Sequence, residues 1–424
     1  MQKSVEFGTI SPASPWIRVV APTKAGNGPK TSFRLMILFL LILYSSIAVW
    51  FKSLDALRPA LVVAVAALLM LLVELAQSGQ GFRLSPPQGI LLLAFLAVCF
   101  VSSFDAFWPR LAFDRTSDVI KIVLIYVIIE NTVTTEARLR TVLLTMALGG
   151  LFPSLGTIYY FLHGWLREGR GSWIGVFANS NEDAYAFVIL MPIAAALAAK
   201  GRYGLRILLW GAMGTYLLAT FLTYSRGGLI GLFAVFCLAA WKQKSRLIRS
   251  VMVAGVIGAL VLVTVYWGRS AGFSDISKDT TYNQRIATIE AGLLMFQANP
   301  LLGVGPGCSI VAYPIFVPEA LHCGCQLQLV VHNAFVQALS EVGLLGFIPL
   351  MLFYGLSMFK AWKLQNGPLR DYAAALEVAL WGFVVCGLSG GFTYTWWPYI
   401  LIGLVVAAGH IAESTPVESA HARI

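Results

Sequence analysis

The sequence has 424 residues, of which 58% are hydrophobic and 12% are charged. A chain with this composition has more hydrophobic surface than one soluble core could bury. The composition therefore excludes a single soluble domain and predicts a polytopic membrane protein. The formal net charge of +10 is interpreted as the excess of Lys and Arg that orients cytoplasmic loops. Nucleic-acid binding is not predicted, because neither a basic low-complexity run nor a nucleic-acid motif accompanies the charge.

Apolar runs of about 17 to 25 residues, the length of a helix that crosses a bilayer, recur along the chain. They predict about twelve spans, at residues 34–51, 57–77, 88–104, 118–133, 139–162, 182–199, 205–223, 226–241, 249–268, 333–359, 372–390 and 395–412. The fourth run contains Asp118, Lys121 and Glu130, and a charge at bilayer depth costs about 2 to 3 kcal/mol on insertion scales. The predicted fold class is an all-α transmembrane bundle.

The positive charges between the runs predict the orientation of this bundle. Most of the 30 Lys and Arg residues fall on the inner side if the N-terminus is inside, and the short loops there are the most basic. Because such loops set orientation, both termini are predicted in the cytoplasm. The predicted divisions are a tail (1–33), nine spans (34–268), one large periplasmic loop (269–332), three spans (333–412) and a second tail (413–424). The first tail has no apolar core, so it is not expected to be a cleaved signal peptide.

The large loop has structure-forming patterns of its own. Apolar side chains at helical spacing over residues 281–297 predict a short helix on the membrane surface, and Asn299-Pro300 ends it. Three glycines follow within residues 303–307, together with Pro306. They predict a tight turn and a close backbone approach, either by another part of the chain or by a ligand.

Three of the six cysteines, Cys308, Cys323 and Cys325, also lie in this loop. Their spacing leaves open whether Cys308 pairs with Cys323, with Cys325 or with neither. The chain has no paired CxxC motif and no Cys/His set with zinc spacing, so no metal site is predicted. Hydrolase, zincin and ATP-driven functions also lack support, because the sequence has no GxSxG, HExxH or Walker motif.

Two titratable residues stand at the start of the tenth predicted span. His332 precedes Asn333, a good N-cap, so its ring is expected at the mouth of the helix as a general base, as a hydrogen-bond donor or as an interfacial residue with no role. Glu341 lies roughly 13 Å further into the helix. An ionisable group at that depth indicates function, although a structural hydrogen bond to a neighbouring helix is the alternative.

Two arginines are candidates for binding an anion. Arg226 lies in a short outer turn beside Ser225 and Gly227-Gly228, and its forked guanidinium suits a diphosphate or a lipid headgroup. Arg285 is either a second such fork or a solvated loop charge. Asn179 and Asn181, at the start of the sixth span, are interpreted first as helix caps and second as contacts to an acceptor sugar.

Four segments occur in an order that carries a resemblance: 176-VFANSNEDAYAFVILMPIAAAL-197, 223-TYSRGGLIGL-232, 284-QRIATIEAGLLMFQANPLLGVGPG-307 and 332-HNAFVQALSEVGLLGF-347. Together they resemble the O-antigen ligase and O-antigen polymerase superfamily, bacterial inner-membrane glycosyltransferases that use undecaprenyl-diphosphate-linked glycans. The sequence departs from the family pattern near the sixth span, where NSNED replaces the usual asparagine doublet. This departure weakens the assignment of acceptor contacts to Asn179 and Asn181.

The resemblance implies a helical bundle of the lipid-linked-donor glycosyltransferase type that works without a metal or another cofactor. His332 matches the family's essential histidine at the end of the periplasmic loop, and Glu341 matches the acidic position of the same pattern, which makes both catalytic candidates. Arg226 and Arg285 match the arginines thought to hold the diphosphate. The implied partners are the undecaprenyl-diphosphate-linked glycan, a glycan or lipid A-core acceptor, and membrane lipid. The implied location is the bacterial inner membrane, with the active site on the periplasmic side.

The favoured function is an O-antigen ligase that moves a preassembled glycan onto lipid A-core in lipopolysaccharide biosynthesis. One long outer loop that ends at the histidine is more typical of ligases than of polymerases, which have two large loops. The two classes share the part of the site that binds the donor. The alternatives are a polymerase of O-antigen or exopolysaccharide repeats, a protein O-glycosyltransferase, and a polysaccharide transporter or flippase. Transporters place their binding groups near the midplane of the membrane, whereas here the arginines and the histidine are expected at one outer face.

Overall fold

The computed structural model describes residues 28–51, 57–266, 280–318 and 328–414. Within these ranges the chain is helical, and the only β-type pairing is an isolated bridge between Arg167 and Arg170. The helices are α1 (Thr31–Ser45), α2 (Ile47–Trp50), α3 (Pro59–Ser78), α4 (Gln88–Ser102), α5 (Pro109–Thr132), α6 (Glu136–Gly149), α7 (Leu151–Leu162), α8 (Ser180–Lys200), α9 (Tyr203–Leu222), α10 (Arg226–Lys242), α11 (Arg246–Tyr266), α12 (Thr280–Ala298), α13 (Ser309–Phe316), α14 (Ala334–Leu364), α15 (Arg370–Gly387) and α16 (Trp397–Ser414).

Every predicted span falls on one or two of these helices, so the all-α fold class is confirmed. Six helical segments of the described chain are long and apolar enough to cross a membrane: Pro59–Ser78, Glu136–Leu162, Ser180–Lys200, Tyr203–Leu222, Ala334–Leu364 and Trp397–Ser414. The total of about twelve spans and the side on which the large loop lies stay predictions. Most of the two predicted tails, at residues 1–27 and 415–424, lies outside the described residues.

The fourth predicted span begins earlier than its apolar run indicated. The helix α5 starts at Pro109, where the fixed φ of proline suits the first helical turn, and it continues through the charged residues that follow. Asp118 lies 3.2 Å from Arg115 and 2.8 Å from Lys121, so its charge is paired on both sides along the helix. This pairing stabilises the charged first half of α5 as a helix, although its hydropathy alone predicted a loop.

Two helices, α8 and α16, form the centre of the bundle and are buried along most of their length. Such helices have apolar side chains on every face, because no face meets water. The helix α8 packs against α6, α9, α10 and α15, and α16 packs against α5, α14 and α15. The N-terminal ends of α8 and α10 therefore lie side by side, which places the polar segments at those ends close to each other.

Glycines let α10 approach its neighbours closely. A Cβ atom on Gly228 would lie 2.6 Å from the Cβ of Ala184 on α8, and one on Gly231 would collide with Cys386 on α15. A Cβ atom on Gly227 would likewise collide with the Tyr185 hydroxyl. Close packing of small residues is a main source of helix association in membranes. The Gly-Gly pair after Arg226 therefore fixes the first turn of α10 on α8.

The helix α14 is broken at Gly343, where φ is 57° and ψ is −166°. The loop of residues 300–307 fills this break with backbone hydrogen bonds. The amides of residues 344 and 345 donate to the carbonyls of residues 300 and 301 at 2.9 and 3.2 Å, and the carbonyls of residues 340 and 341 accept from the amides of residues 304 and 305 at 2.9 and 3.0 Å. An interrupted helix inside an apolar bundle needs such partners, because each unpaired backbone group there is costly. The close approach predicted at the loop glycines is thus made by the chain itself.

Replacing Gly343 with alanine should destabilise the bundle. The φ and ψ of Gly343 lie in a region that is nearly restricted to glycine, where another residue costs about 1 to 3 kcal/mol. The added Cβ would also collide with the backbone of Leu301. We expect Gly343→Ala to lower the apparent melting temperature of the protein in detergent micelles. The matched control is Gly355→Ala on the same helix, where no atom lies within 4 Å of an added Cβ, and equal melting temperatures of the two variants would contradict this account.

Candidate functional site

His332 is held in place at the start of α14 by residues of α12. The side chain of Asn333 accepts hydrogen bonds from the amides of residues 335 and 336, both at 3.0 Å, which confirms the predicted N-cap. The amide of His332 donates to Oγ1 of Thr288 at 3.2 Å, and the Thr288 hydroxyl donates to the carbonyl of Arg285 at 2.9 Å. Because Thr288 is fully buried, this chain of contacts joins α12 to α14 in a dry environment. The structure therefore brings Arg285 and His332 together.

The electrostatic environment keeps the His332 ring neutral. Burial of the imidazole, and then the positive charge of Arg285, lower the pKa of His332 to about 4. At neutral pH the ring has one nitrogen with an open lone pair, which is the form that accepts a proton. The protonated imidazolium is therefore disfavoured at neutral pH.

Arg226 is the first residue of α10, directly after the N-cap Ser225. The Ser225 hydroxyl accepts from the amide of Gly228 at 3.2 Å and donates to Oδ1 of Asn181 at 2.8 Å. The first turn of α10 is therefore bonded to the first turn of α8. Arg226 itself is half-buried, with its backbone fixed by these contacts.

A further arginine, Arg170, belongs to the same network, although no motif in the sequence marks it. It is buried, with a relative exposure of 7%. Its Nε donates to the carbonyl of Thr223 at 2.8 Å, and its Nη2 donates to Oδ1 of Asn181 at 2.6 Å. Its one signal in the sequence is its place in the polar segment of residues 163–184, which leads into the sixth predicted span. These bonds hold the guanidinium of Arg170 in the interior of the network, between the turn before α10 and the first turn of α8.

The two asparagines have mainly structural contacts. Asn179 is the N-cap of α8, and its side chain accepts from the amide of Asn181 at 2.9 Å. The side-chain oxygen of Asn181 accepts from both Arg170 and Ser225, so it joins the polar segment before α8 to the turn before α10. The interpretation of Asn179 as a cap is confirmed, and that of Asn181 is wrong, because Asn181 is already the second residue of α8. Contact with an acceptor sugar stays a prediction for both.

Tyr185, one turn into α8, shows how these parts converge. Its hydroxyl lies 2.9 Å from Oγ of Ser389 and packs against the backbone of Gly227, next to Arg226. Arg170 and Arg285 are both close enough to this hydroxyl to interact with it electrostatically. We call this part of the bundle the histidine end, which is defined by Arg170, Tyr185, Arg226, Arg285 and His332. Three arginines thus lie near the first turns of α8, and Arg285 connects this group to His332.

Glu341 has a different position from the other predicted site residues. It is completely buried, and its carboxylate accepts from the Gly307 amide at 2.8 Å, from the Ser309 hydroxyl at 2.5 Å and from the Gln337 side chain at 3.3 Å. These bonds hold the loop of residues 300–307 against the broken helix. The structure therefore places Glu341 at this loop, with its oxygens occupied by protein donors, and a direct role in catalysis stays only a prediction.

Cys308 lies in the same region as a buried thiol. Its Sγ donates to the carbonyl of Trp108 at 3.5 Å. Cys323 and Cys325 lie outside the described residues, so the predicted choice of disulfide partner stays open.

A comparison with known families matched two segments of the chain. Residues 211–351 match a family model described as O-antigen ligase. This segment is similar to the O-antigen ligase family. It contains Arg226, Arg285, His332 and Glu341, and it confirms the resemblance to the O-antigen ligase and polymerase superfamily. Residues 33–153 match a family of unknown function, and a search of curated proteins gave no match.

Replacing Glu341 with glutamine should weaken the attachment of the loop to α14. The amide of glutamine is isosteric but turns one acceptor into a donor. With the NH2 group at one position the Gly307 amide loses its acceptor, and at the other position the side-chain amide of Gln337 does, at a cost of about 1 to 3 kcal/mol. We expect Glu341→Gln to lower the apparent melting temperature in detergent. The control is Glu290→Gln, an exposed position on α12. A Glu341→Gln protein as stable as this control would show that the carboxylate does not hold the loop.

Proposed function

We propose that the protein is a glycosyltransferase that moves a glycan from undecaprenyl diphosphate to an acceptor hydroxyl. Within this class we propose an O-antigen ligase that acts on lipid A-core in lipopolysaccharide biosynthesis. The observation that carries the proposal is the junction of Arg285 and His332 through Thr288, within a segment similar to the O-antigen ligase family. Transfer from a sugar diphosphate needs a cation for the leaving group and a base for the acceptor, and this junction supplies both.

The proposed reaction follows from the chemistry of these groups. The acceptor hydroxyl gives its proton to the neutral imidazole of His332, and its oxygen attacks the anomeric carbon of the donor sugar. The bond from that carbon to the diphosphate oxygen breaks, and undecaprenyl diphosphate leaves with the electron pair. Arg226 and Arg285 stabilise the negative charge that grows on the diphosphate. Attack on the face opposite the leaving group inverts the anomeric centre.

The donor is also expected to adjust the base. Arg285 is one of two causes that lower the pKa of His332. A diphosphate bound to Arg285 offsets its charge, so the imidazole becomes a stronger base once the donor is in place. The site would therefore activate the acceptor mainly when the sugar to be transferred is present.

We further propose that the histidine end faces the periplasm, with the chain in the bacterial inner membrane and both termini in the cytoplasm. The distribution of Lys and Arg supports this orientation. A lipid-linked diphosphate lies at the headgroup level, which is the level of helix ends. The support for this depth is that Arg226 is the first residue of α10 and that His332 directly precedes the N-cap of α14.

The first test is transfer by purified protein that is reconstituted with an undecaprenyl-diphosphate-linked glycan, with and without lipid A-core. We expect His332→Ala to lose roughly 10²- to 10⁴-fold in rate, the usual contribution of a general base. The matched control is His163→Ala, an exposed histidine that follows α7. Histidine-dependent transfer to lipid A-core would support the ligase, and chain lengthening without it would support a polymerase. Normal transfer by His332→Ala would refute the assigned base.

The second test uses the pH dependence of the rate. Below its pKa the imidazole is protonated and accepts no proton, so the rate falls as the pH falls. The acid limb of kcat/KM, which reports the enzyme without donor, is expected near the pKa of about 4, and that of kcat is expected at higher pH. In Arg285→Gln the acid limb of the kcat/KM profile should move to higher pH, closer to the acid limb of the kcat profile. The exposed Arg202→Gln should leave the pH of both acid limbs unchanged. Limbs that do not respond to Arg285→Gln would contradict the proposed coupling.

A further inference from the structure

A cleft of about 320 Å³ lies at the start of α5, and the transfer chemistry described above does not use it. It is lined by Trp108, Arg110, Leu111, Asp114, Val311 and Gln328. These residues come from the start of α5, from α13 and from the segment that leads to His332. The cleft is therefore built from three parts of the chain that meet only in the folded protein.

Trp108 supplies a fixed aromatic surface on one side of this cleft. Its side chain is 54% exposed, although it stands on a well-bonded backbone. The carbonyl of Trp108 accepts from the amide of Ala112 at 3.1 Å and from the thiol of Cys308 at 3.5 Å, and the preceding amide, of Phe107, donates to the carbonyl of Val304 at 2.8 Å. A large aromatic group on a rigid backbone loses little entropy when it binds a partner.

The polar lining of the cleft suits a sugar better than it suits an anion. A pyranose ring has an apolar face of C–H groups, which can stack on an indole, and a rim of hydroxyls, which both donate and accept. The side chains of Arg110, Asp114 and Gln328 offer planar groups of both kinds. A phosphate would meet the negative charge of Asp114. A few polar groups around an apolar surface are also the usual composition of a site for a small ligand.

The position of the cleft relates it to the proposed base. Gln328 lies in the cleft and His332 follows it in the chain, and four residues span at most about 13 Å even when fully extended. A glycan held in the cleft would therefore reach the transfer site with its neighbouring sugars. The loop of residues 300–307 bonds to α14 at its break and to Phe107, the residue before Trp108.

We propose that this cleft is a glycan subsite, in which a sugar unit of one of the two substrates stacks on Trp108 and is bonded by Arg110, Asp114 and Gln328. The inference rests on the proposed function, because it is the glycosyl transfer that brings two glycans to the histidine end. The subsite would bind a sugar away from the reacting centre and would thereby select the glycan that is transferred or received.

The test measures KM for lipid A-core and for the donor separately, each with the other substrate saturating, on full-length protein in lipid nanodiscs. We expect Trp108→Ala to raise one of the two KM values about three- to tenfold, the effect of a lost aromatic stacking contact, with little change in kcat. Trp108→Phe should restore most of the affinity. A rise confined to lipid A-core would assign the cleft to the acceptor, and a rise confined to the donor would assign it to the transferred glycan.

A second readout does not depend on turnover. Saturation-transfer NMR with free core oligosaccharide, and with a free oligosaccharide of the donor repeat, reports binding even if no transfer takes place. We expect signals for one of them with the wild type and weaker signals with Trp108→Ala and with Gln328→Ala, an exposed position outside the helices. A difference seen here without turnover would support the subsite while the proposed function fails.

The control is Trp241→Ala, an 84% exposed tryptophan near the end of α10. If Trp108 only anchors the protein at the membrane surface, both tryptophan variants should behave alike. Equal KM changes in the two variants, or unchanged KM values together with unchanged NMR signals in Trp108→Ala, would overturn the proposal.

Discussion

The architecture of this protein depends on how it satisfies the backbone at the break in α14. An apolar bundle has no water to bond the amides and carbonyls that are released where a helix is interrupted, so other backbone must supply the partners. Here the loop of residues 300–307 pairs with both sides of the break at Gly343, and Glu341 bonds to the same loop. Loop and helix therefore form one unit, and neither has a stable backbone without the other.

This unit also explains how the candidate site is assembled. The loop directly follows the C-terminal end of α12, the helix that carries Arg285. The hydrogen bonds between the loop and α14 therefore also hold this end of α12 in place. Thr288, on the same helix, then bonds to His332 at the start of α14. On the other side, the network of Arg170, Asn181 and Ser225 joins α8 to α10. Both assemblies meet near Tyr185, and a site of several cations results although its residues are far apart in the sequence.

Several features followed from sequence patterns because they are local. Helix positions followed from apolar runs, the N-cap at Asn333 from residue type, and the close backbone approach from the glycines at residues 303–307. Features that depend on contacts between distant residues were not predictable in this way. Arg170 was overlooked because nothing in its neighbourhood shows that it is buried against Asn181. Glu341 was interpreted as a catalytic candidate because its depth was evident from the sequence, whereas its three hydrogen-bond partners were not.

The sequence by itself determined the membrane class, the helical fold class, and the set of arginines and the histidine that resembles a lipid-linked glycosyltransferase. These depend on composition, on periodicity and on motifs, all of which are properties of short segments. Only the tertiary structure decided that Arg285 adjoins His332, that the glycine loop fills the break in α14, and that Trp108 lines a cleft together with residues of two distant segments. Such facts depend on which distant segments pack together, and the packing of near-uniformly apolar helices leaves little trace in the pattern of any single helix.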